Sequence, residues 1–587
     1  DAQALIDAGN TAINNPAQRW GNVESEAARV FFNAELPLGD NIDAYAFGNY
    51  GRSEGETEFF WRSPVSRTDI FTSVPLTNQP GGARFNFREW FPGGFAPIFG
   101  TKITDMSLMA GVNGQTDSGL RYDFSAGGAE NELNYRLSNT VNPSLGPDSP
   151  RSFDAGTMTQ QETQLHADFV YPWQTGMFAA PLNVAFGLEW REETFKIEAG
   201  DQASWQVGPY ARVLDPDTGN FIGLAVGSSG FPGYAPSTAG DHSRSNWATY
   251  LDLETDVTER LTLGIATRFE DFSDFGTTFN WKASGRFEFN DAIALRASVN
   301  TGFRAPTPGQ SNISDVSTNI DALTGGLLLT TTQPPTSPLA QYYGARPLRP
   351  EESFNIAGGM VFQWGDGYEL SVDYFNIEVE DRIAMTSRIT ITPADRAALV
   401  ASGVDPGQVQ SVRFFGNFFD TKTEGVDVVL RKSWSLDSGA QFGATASANY
   451  TSSEVTKIRD PRAVDRERKI EISDFNPKIR GALALTYAAE RWHSMVRANY
   501  YGEWTDAVPN ATPTPVSFDQ TFPAEWLMDL ELGYDFTDSI TGTLGAENIF
   551  DVYPDEDRRP SQRNNGIVYP QFAPFGYNGA FYYGRVA

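Results

Sequence analysis

The side chains best equipped for chemistry lie in long links between patterned segments. Segment 85–99 (FNFREWFPGGFAPIF) gathers Phe85, Phe87, Trp90, Phe91, Phe95 and Phe99 around Arg88. Other long links add Trp61, Trp205, Tyr234, Tyr342, Tyr343 and Trp504, with Arg346 close behind the tyrosine pair. Flat π-faces beside guanidinium groups can stack on sugar rings or catechol-like groups. On that reasoning Arg88, Trp90, Phe91, Trp205, Tyr342, Tyr343, Arg346 and Trp504 are the candidate ligand-binding residues. The same composition suits packing of one loop on another, or an aromatic girdle at a membrane surface, and residue types alone leave these readings side by side. Segment 457–469 sets Lys457, Arg459, Arg462, Arg466, Arg468 and Lys469 against Asp460, Asp465 and Glu467. Such a stretch fits lipopolysaccharide phosphates or a plain solvated loop.

Bond-making chemistry has no comparable support. His166, His242 and His493 are far apart and share no ligand spacing, and the chain has no cysteine, so no metal site is expected. Asp215-Pro216-Asp217-Thr218-Gly219-Asn220 alternates oxygen-bearing side chains as a calcium loop does, but it lacks the distal glutamate and reads as a hairpin turn. No G-x-S-x-G element and no phosphate-cradling glycine loop occurs. Neither a catalytic residue nor a cofactor is expected.

The elements that must carry these loops show a sustained alternation. In 183–190, Val184, Phe186, Leu188 and Trp190 oppose Asn183, Ala185, Gly187 and Glu189. In 441–450, Phe442 to Tyr450 oppose Gln441 to Asn449, and in 526–536, Trp526, Met528, Leu530, Leu532, Tyr534 and Phe536 oppose Leu527, Asp529, Glu531, Gly533 and Asp535. Successive strand side chains point oppositely, so one face suits lipid and the other a wet lumen. The connections alternate short with long, which places every long link on one side of a membrane. About nineteen or twenty crossings are legible, running from 27–36 and 42–53 through 420–433 and 440–453 to 579–587. That number lies nearest the barrels of about 22 strands whose lumen is plugged. No apolar run reaches the length of a membrane helix, and a net charge of −30 argues against nucleic-acid binding. The fold expected is an all-β, large antiparallel transmembrane barrel with short periplasmic turns and long extracellular loops. In 368–380 the apolar parity changes from Leu370, Val372 and Tyr374 to Phe375, Ile377 and Val379, which predicts a bulge or the upper edge of the lipid band. Thr392-Pro393 with Gly403 predicts a short external helix.

Five local motifs then occur in order. Asn300-Thr301-Gly302-Phe303-Arg304-Ala305-Pro306 is followed by Leu348-Arg349-Pro350-Glu351-Glu352-Ser353-Phe354-Asn355. Next come Val372-Asp373-Tyr374-Phe375-Asn376-Ile377, Thr423-Glu424-Gly425-Val426-Asp427 and Glu547-Asn548-Ile549-Phe550-Asp551. From about residue 245 onward the chain thereby resembles the barrel of TonB-dependent outer-membrane receptors, importers of iron complexes, cobalamin and some saccharides. The motif residues read as structural. Pro306 ends a strand beyond Arg304, Pro350 opens the next ahead of Glu351, Gly425 permits a close approach, and Asn548 satisfies a turn near Phe550.

The resemblance implies import of a scarce large solute, an iron–siderophore or oligosaccharide-like ligand, across the bacterial outer membrane. It implies as partners outer-membrane lipid and lipopolysaccharide, the TonB complex acting through a plug segment, the transported small molecule, and a possible surface or periplasmic protein. Residues 1–26 read as a first extracellular loop remnant that begins with a short helix, and 27–587 as the barrel. A plug domain is expected upstream. The closing Ala580-Phe581-Tyr582-Tyr583-Gly584-Arg585-Val586-Ala587 departs from the family pattern in lacking a terminal aromatic residue. A non-transporting scaffold that holds a partner protein, or a passive pore, is the alternative.

Overall fold

A computed structural model describes residues 23–320, 327–365, 367–407, 409–461, 464–507, 519–559 and 567–587. The short helix expected at the start of the chain, most of the 1–26 loop segment and Arg462 lie outside them.

Among the described residues, 19 strands form one sheet. It runs as an unbroken antiparallel meander from Glu24–Gly39 to Phe581–Val586, each strand paired with its neighbours in sequence. Every strand anticipated from alternation is present. Several extend further on the long-loop side, as in Ile42–Glu58, Phe153–Trp173, Gly240–Thr258 and Gln441–Ile458. Above the lipid there is no apolar phase to contrast with the lumen, so ladder pairing continues where the alternation has faded. Because 19 is odd, the first and last strands run in the same direction.

Register fixes the two faces. Outward rings cluster near the short turns, where Trp364 lies on Tyr368 at 5.4 Å, Phe442 on Tyr487 at 5.3 Å and Trp492 on Tyr534 at 4.7 Å. A second belt lies toward the long loops, with Trp190 near Trp247 and Tyr500 on Trp526 at 5.0 Å. From Trp526 to Tyr534 the strand rises ~27 Å, or ~20 Å along the membrane normal at a tilt of about 40°. From Phe354 to Trp364 the same arithmetic gives ~26 Å, so the belts bracket a band of hydrocarbon height. Leu530 is outward and midway between Trp526 and Tyr534. Leu530→Arg is expected to destabilise the barrel by roughly 2–4 kcal/mol, read as a lower urea midpoint in lipid vesicles. An equal loss from Glu531→Arg, one residue along on the lumen side, would refute this assignment of faces.

The inward face is polar and paired. Tyr45 donates to Asp123 at 2.9 Å and Tyr250 to Asp168 at 2.6 Å. The Arg296 guanidinium grips Asp373 with two bonds of 2.7 and 2.6 Å, and Asp529 accepts from Arg497 and Asn499 at 2.9 and 2.7 Å. Along Tyr368–Met385 the ladder stays in register to Val379 and shifts only at Arg382, next to Asp381 with φ of +52°. The bulge therefore lies beyond the change of parity, which itself marks the top of the lipid band. Phe375 turns inward there over Gly425, where a Cβ would meet its ring at 2.5 Å and the Tyr450 carbonyl at 2.4 Å.

Candidate functional site

The long links fold into packed lobes. In the first, segments 59–97, 139–152 and 200–239 share a core of Ile70, Phe71, Val74, Phe85, Phe87, Phe91, Phe95, Val141 and Leu224. Asn86 caps the short helical turn Phe87–Glu89 through a capping box with Glu89, which turns Phe87 inward. Phe87 then meets Phe85 and Trp90 edge-on at 4.9 and 5.3 Å. Arg151, from a different link, stands over Trp90 at 4.8 Å and Phe91 at 5.3 Å. A second cluster beneath, including Leu137, Phe153, Phe195, Phe231 and Tyr234, joins this lobe to the strand ends.

The second lobe comes from residues 305–320, 327–350, 386–407 and 409–414, with a core of Leu339, Ala340, Ala345, Ile391, Leu399, Val412 and Phe414. Its helix Pro393–Ala401 has the expected Thr392 cap, Pro393 in the first turn and Gly403 at φ +85°. Tyr342 donates to Asp395 of that cap at 3.2 Å. The turn 273–275 is the one tight connection among the long-loop links, and segment 305–350 reaches past it to the strands Leu182–Ala199 and Gly240–Thr258. Helix Pro308–Asn312 packs on both, and a Cβ on Gly309 would meet Phe195 at 3.5 Å. Arg244 fastens the crossing: its Nε donates to Glu193 at 2.6 Å, Nη1 donates to the Pro306 carbonyl, and the guanidinium lies 5.3 Å from the Phe272 ring. Further along, Asp315 is half-buried near Tyr234, and desolvation pushes both its carboxyl and that phenol up.

A third group is rich in charge. Helix Arg466–Ser473 is capped by Asp465, pairs Arg466 with Asp519, and reaches the Met385 carbonyl through Arg468 at 3.2 Å. Burial pushes the Glu467 carboxyl up to about 7, opposed by Arg388 and reinforced by Glu471, Asp465 and Asp506. The folded lobe therefore holds a proton that the unfolded segment releases above its ordinary carboxylate range. Its docking should weaken as pH rises from about 4.5 to about 7 and level off above, by on the order of 1–3 kcal/mol. Hydrogen exchange of 466–473 at pH 5.5 and 8.0 measures this, and Glu467→Gln should flatten the difference. Unchanged pH dependence in that variant would assign the titration elsewhere.

The candidate residues are not one constellation. Arg88 and Tyr342 are exposed, as is Arg346; Trp90, Trp205 and Tyr343 are half-buried. Arg88 donates to the Pro64 carbonyl at 2.6 Å and Trp205 to the Gly200 carbonyl at 3.1 Å. Phe91 is buried in the first core, and Trp504 is 1% exposed, stacked on Phe522 at 4.2 Å. Loop packing accounts for those two. The residues that sequence reasoning missed are Arg151 and Arg244. Each acts on partners distant in the chain, so no local spacing could reveal them.

The motif residues sit at strand ends and turns. Arg304 ends its strand 4.0 Å from Glu351, and Glu351 accepts from the Ile383 backbone at 2.6 Å beside the bulge. Pro306 is buried and Pro350 stands just before the strand Glu351–Trp364. Asn548, at φ +50°, donates to the Val552 carbonyl at 2.8 Å and accepts from its amide at 3.0 Å, while the Phe550 ring is exposed. Asp215 and Asp217 close a hairpin and both pair with Arg84 at 2.9 Å.

Comparisons with known proteins agree with this architecture. Residues 40–549 match the family described as TonB dependent receptor-like, beta-barrel. The iron-regulated outer membrane virulence protein of Vibrio cholerae is 22% identical over 310 residues, a match covering 53% of this chain and 41% of that protein. This stretch thus spans about two-fifths of that curated relative. A variant of the ferric enterobactin receptor of Pseudomonas aeruginosa superposes with a TM-score of 0.61 at 13% identity, covering 97% of this chain and 70% of the other. A siderophore receptor of Acinetobacter baumannii gives 0.57 at 14%, covering 97% and 78%. The ferripyoverdine receptor of P. aeruginosa gives 0.56 at 15%, covering 96% and 64%.

Proposed function

We propose that this chain, which belongs to the TonB dependent receptor-like β-barrel family and is an outer-membrane barrel and not an enzyme, is the membrane-spanning and ligand-collecting part of an energised importer. Its cargo on this reading is a scarce solute too large for porins, with an iron–siderophore complex ahead of an oligosaccharide. The names of its relatives favour iron. The observation that carries the reading is the Arg151–Trp90 pair with exposed Arg88 nearby, a cation-and-ring surface held on a packed lobe rather than on a slack loop. A guanidinium over a π-face suits anionic, aromatic chelators, and the rigid support lowers the ordering cost of binding. The gate is a plug upstream of the barrel that contacts TonB. Transport requires a ligand to bind the plug's states unequally, so the barrel supplies affinity and the plug the energised step.

Intact mass of the full protein purified from outer membranes tests the plug, and ligand titration followed by tryptophan fluorescence tests the surface. The expected outcome is a mass exceeding this chain by a plug, saturable quenching by a ferric siderophore, and uptake that stops when TonB is lost. Saturable uptake that persists without TonB, or a protein with no plug, would return the passive pore or the scaffold to first place.

A further inference from the structure

Arg62 is the one large charged side chain among the described residues that is fully buried. It lies where the first lobe's three segments meet. Its backbone bridges Phe95 in both directions, its Nε donates to Ser229 Oγ at 3.0 Å, and Nη1 donates to the Phe60 carbonyl at 2.6 Å. Ser229 is in turn held by Val141 and Thr140. These partners are all neutral. The charged groups that act on Arg62 are Arg67, which repels it, and Asp69, which attracts it. Asp69 is already gripped by Arg67, through Nε at 2.7 Å and Nη2 at 2.5 Å. Two buried donors remain, Nη2 of Arg62 and Nη1 of Arg67, neither with a hydrogen-bond partner in the protein.

The nearby carboxylate, Asp69, is 42% exposed and already taken by Arg67, so Arg62 holds a buried positive charge with no counter-ion of its own. A lysine placed here would lose its proton, but a guanidinium does not titrate at neutral pH. An unpaired buried charge costs several kcal/mol, and burial pushes Arg62 down from its ordinary range. We infer that the buried Nη2 of Arg62 anchors a binding site for a small monovalent anion, of which chloride is the one abundant outside the cell. A halide accepts N–H donors from any direction and is cheaper to dehydrate than phosphate, which suits a buried site that offers few donors. Bound there, it staples segment 59–97 to 139–152 and 200–239.

The test uses the full protein in detergent, with sodium chloride replaced stepwise by sodium gluconate at constant ionic strength. Hydrogen exchange of 59–97 is expected to slow about tenfold once chloride exceeds its dissociation constant about ninefold. Bromide-soaked crystals should give an anomalous peak within hydrogen-bond reach of Arg62 Nη2. Arg67→Gln keeps Arg62 in place and should weaken the chloride response, and Arg62→Met should abolish it. If Arg62→Met unfolds the lobe, the bromide peak and Arg67→Gln still decide. Chloride-independent exchange, a water rather than bromide at the site, or peaks only at surface positions, meaning an adventitious ion only, would overturn the proposal.

Discussion

Arg244→Ala is expected to detach the 305–350 crossing while leaving the barrel intact. The guanidinium is 5% exposed and holds three things together: the Glu193 carboxylate, the Pro306 carbonyl and the face of Phe272. Truncation strands Glu193, itself mostly buried, and bares a carbonyl at the end of the segment that leaves the sheet at Arg304. Removing one member of a buried ion pair costs about 3–5 kcal/mol. The ladder of Gly240–Thr258 is made by backbone groups, so the cost falls on the crossing and not on the sheet. Limited proteolysis should cut 305–350 faster in the variant, with the barrel's heat-modified gel mobility unchanged. Arg244→Lys should recover only part of the protection, since an ammonium cannot span carboxylate and carbonyl with a planar fork. Wild-type cleavage in the alanine variant would mean that Gly309 on Phe195 anchors the segment without Arg244.

Phe87→Ala should do comparable damage to the first lobe. The ring is fully buried between Phe85 and Trp90, and nothing near it is free to collapse into the space because Asn86 and Glu89 pin the turn. Loss of transfer energy plus the cavity is about 3–5 kcal/mol. The consequence reaches function, because Trp90 loses the edge it rests on and with it the platform under Arg151. Hydrogen exchange across 59–97 and 200–239 should accelerate together, and ligand affinity should fall without any change in strand protection. A variant that loosens only 85–91 would show that the lobe is not one cooperative unit.

The outward rings, the polar lumen wall and the nineteen strands were legible in the chain because a barrel wall faces two solvents, and every second residue must answer to one of them. Leu530 and Asp529 differ by one position and declare opposite phases. The external helix at Pro393 was legible for an equally local reason, a cap, a proline and a terminal glycine within one short stretch. Where the two-solvent contrast ends, the reading weakens. Strands such as Ile42–Glu58 run on past the point where alternation stops, and the parity change at Phe375 marks the lipid edge while the bulge is found at Asp381 and Arg382.

The loops obey neither rule. An aromatic residue in a long link has the same local sequence whether it ends in a core or on a surface. Phe91 and Trp504 therefore resemble Trp90 and Tyr342 until partners from other links are in place. Trp90 acquires its cation from Arg151, Phe85 and Phe87 share a core with Leu224, and Arg244 meets Pro306 across strands that lie between them in the sheet. The sequence by itself determined the wall, because the membrane imposes a period of two on each strand separately. Only the tertiary structure decided which side chains are buried and which are offered to a ligand, because that depends on which distant links share a lobe, and no periodicity along the chain records it.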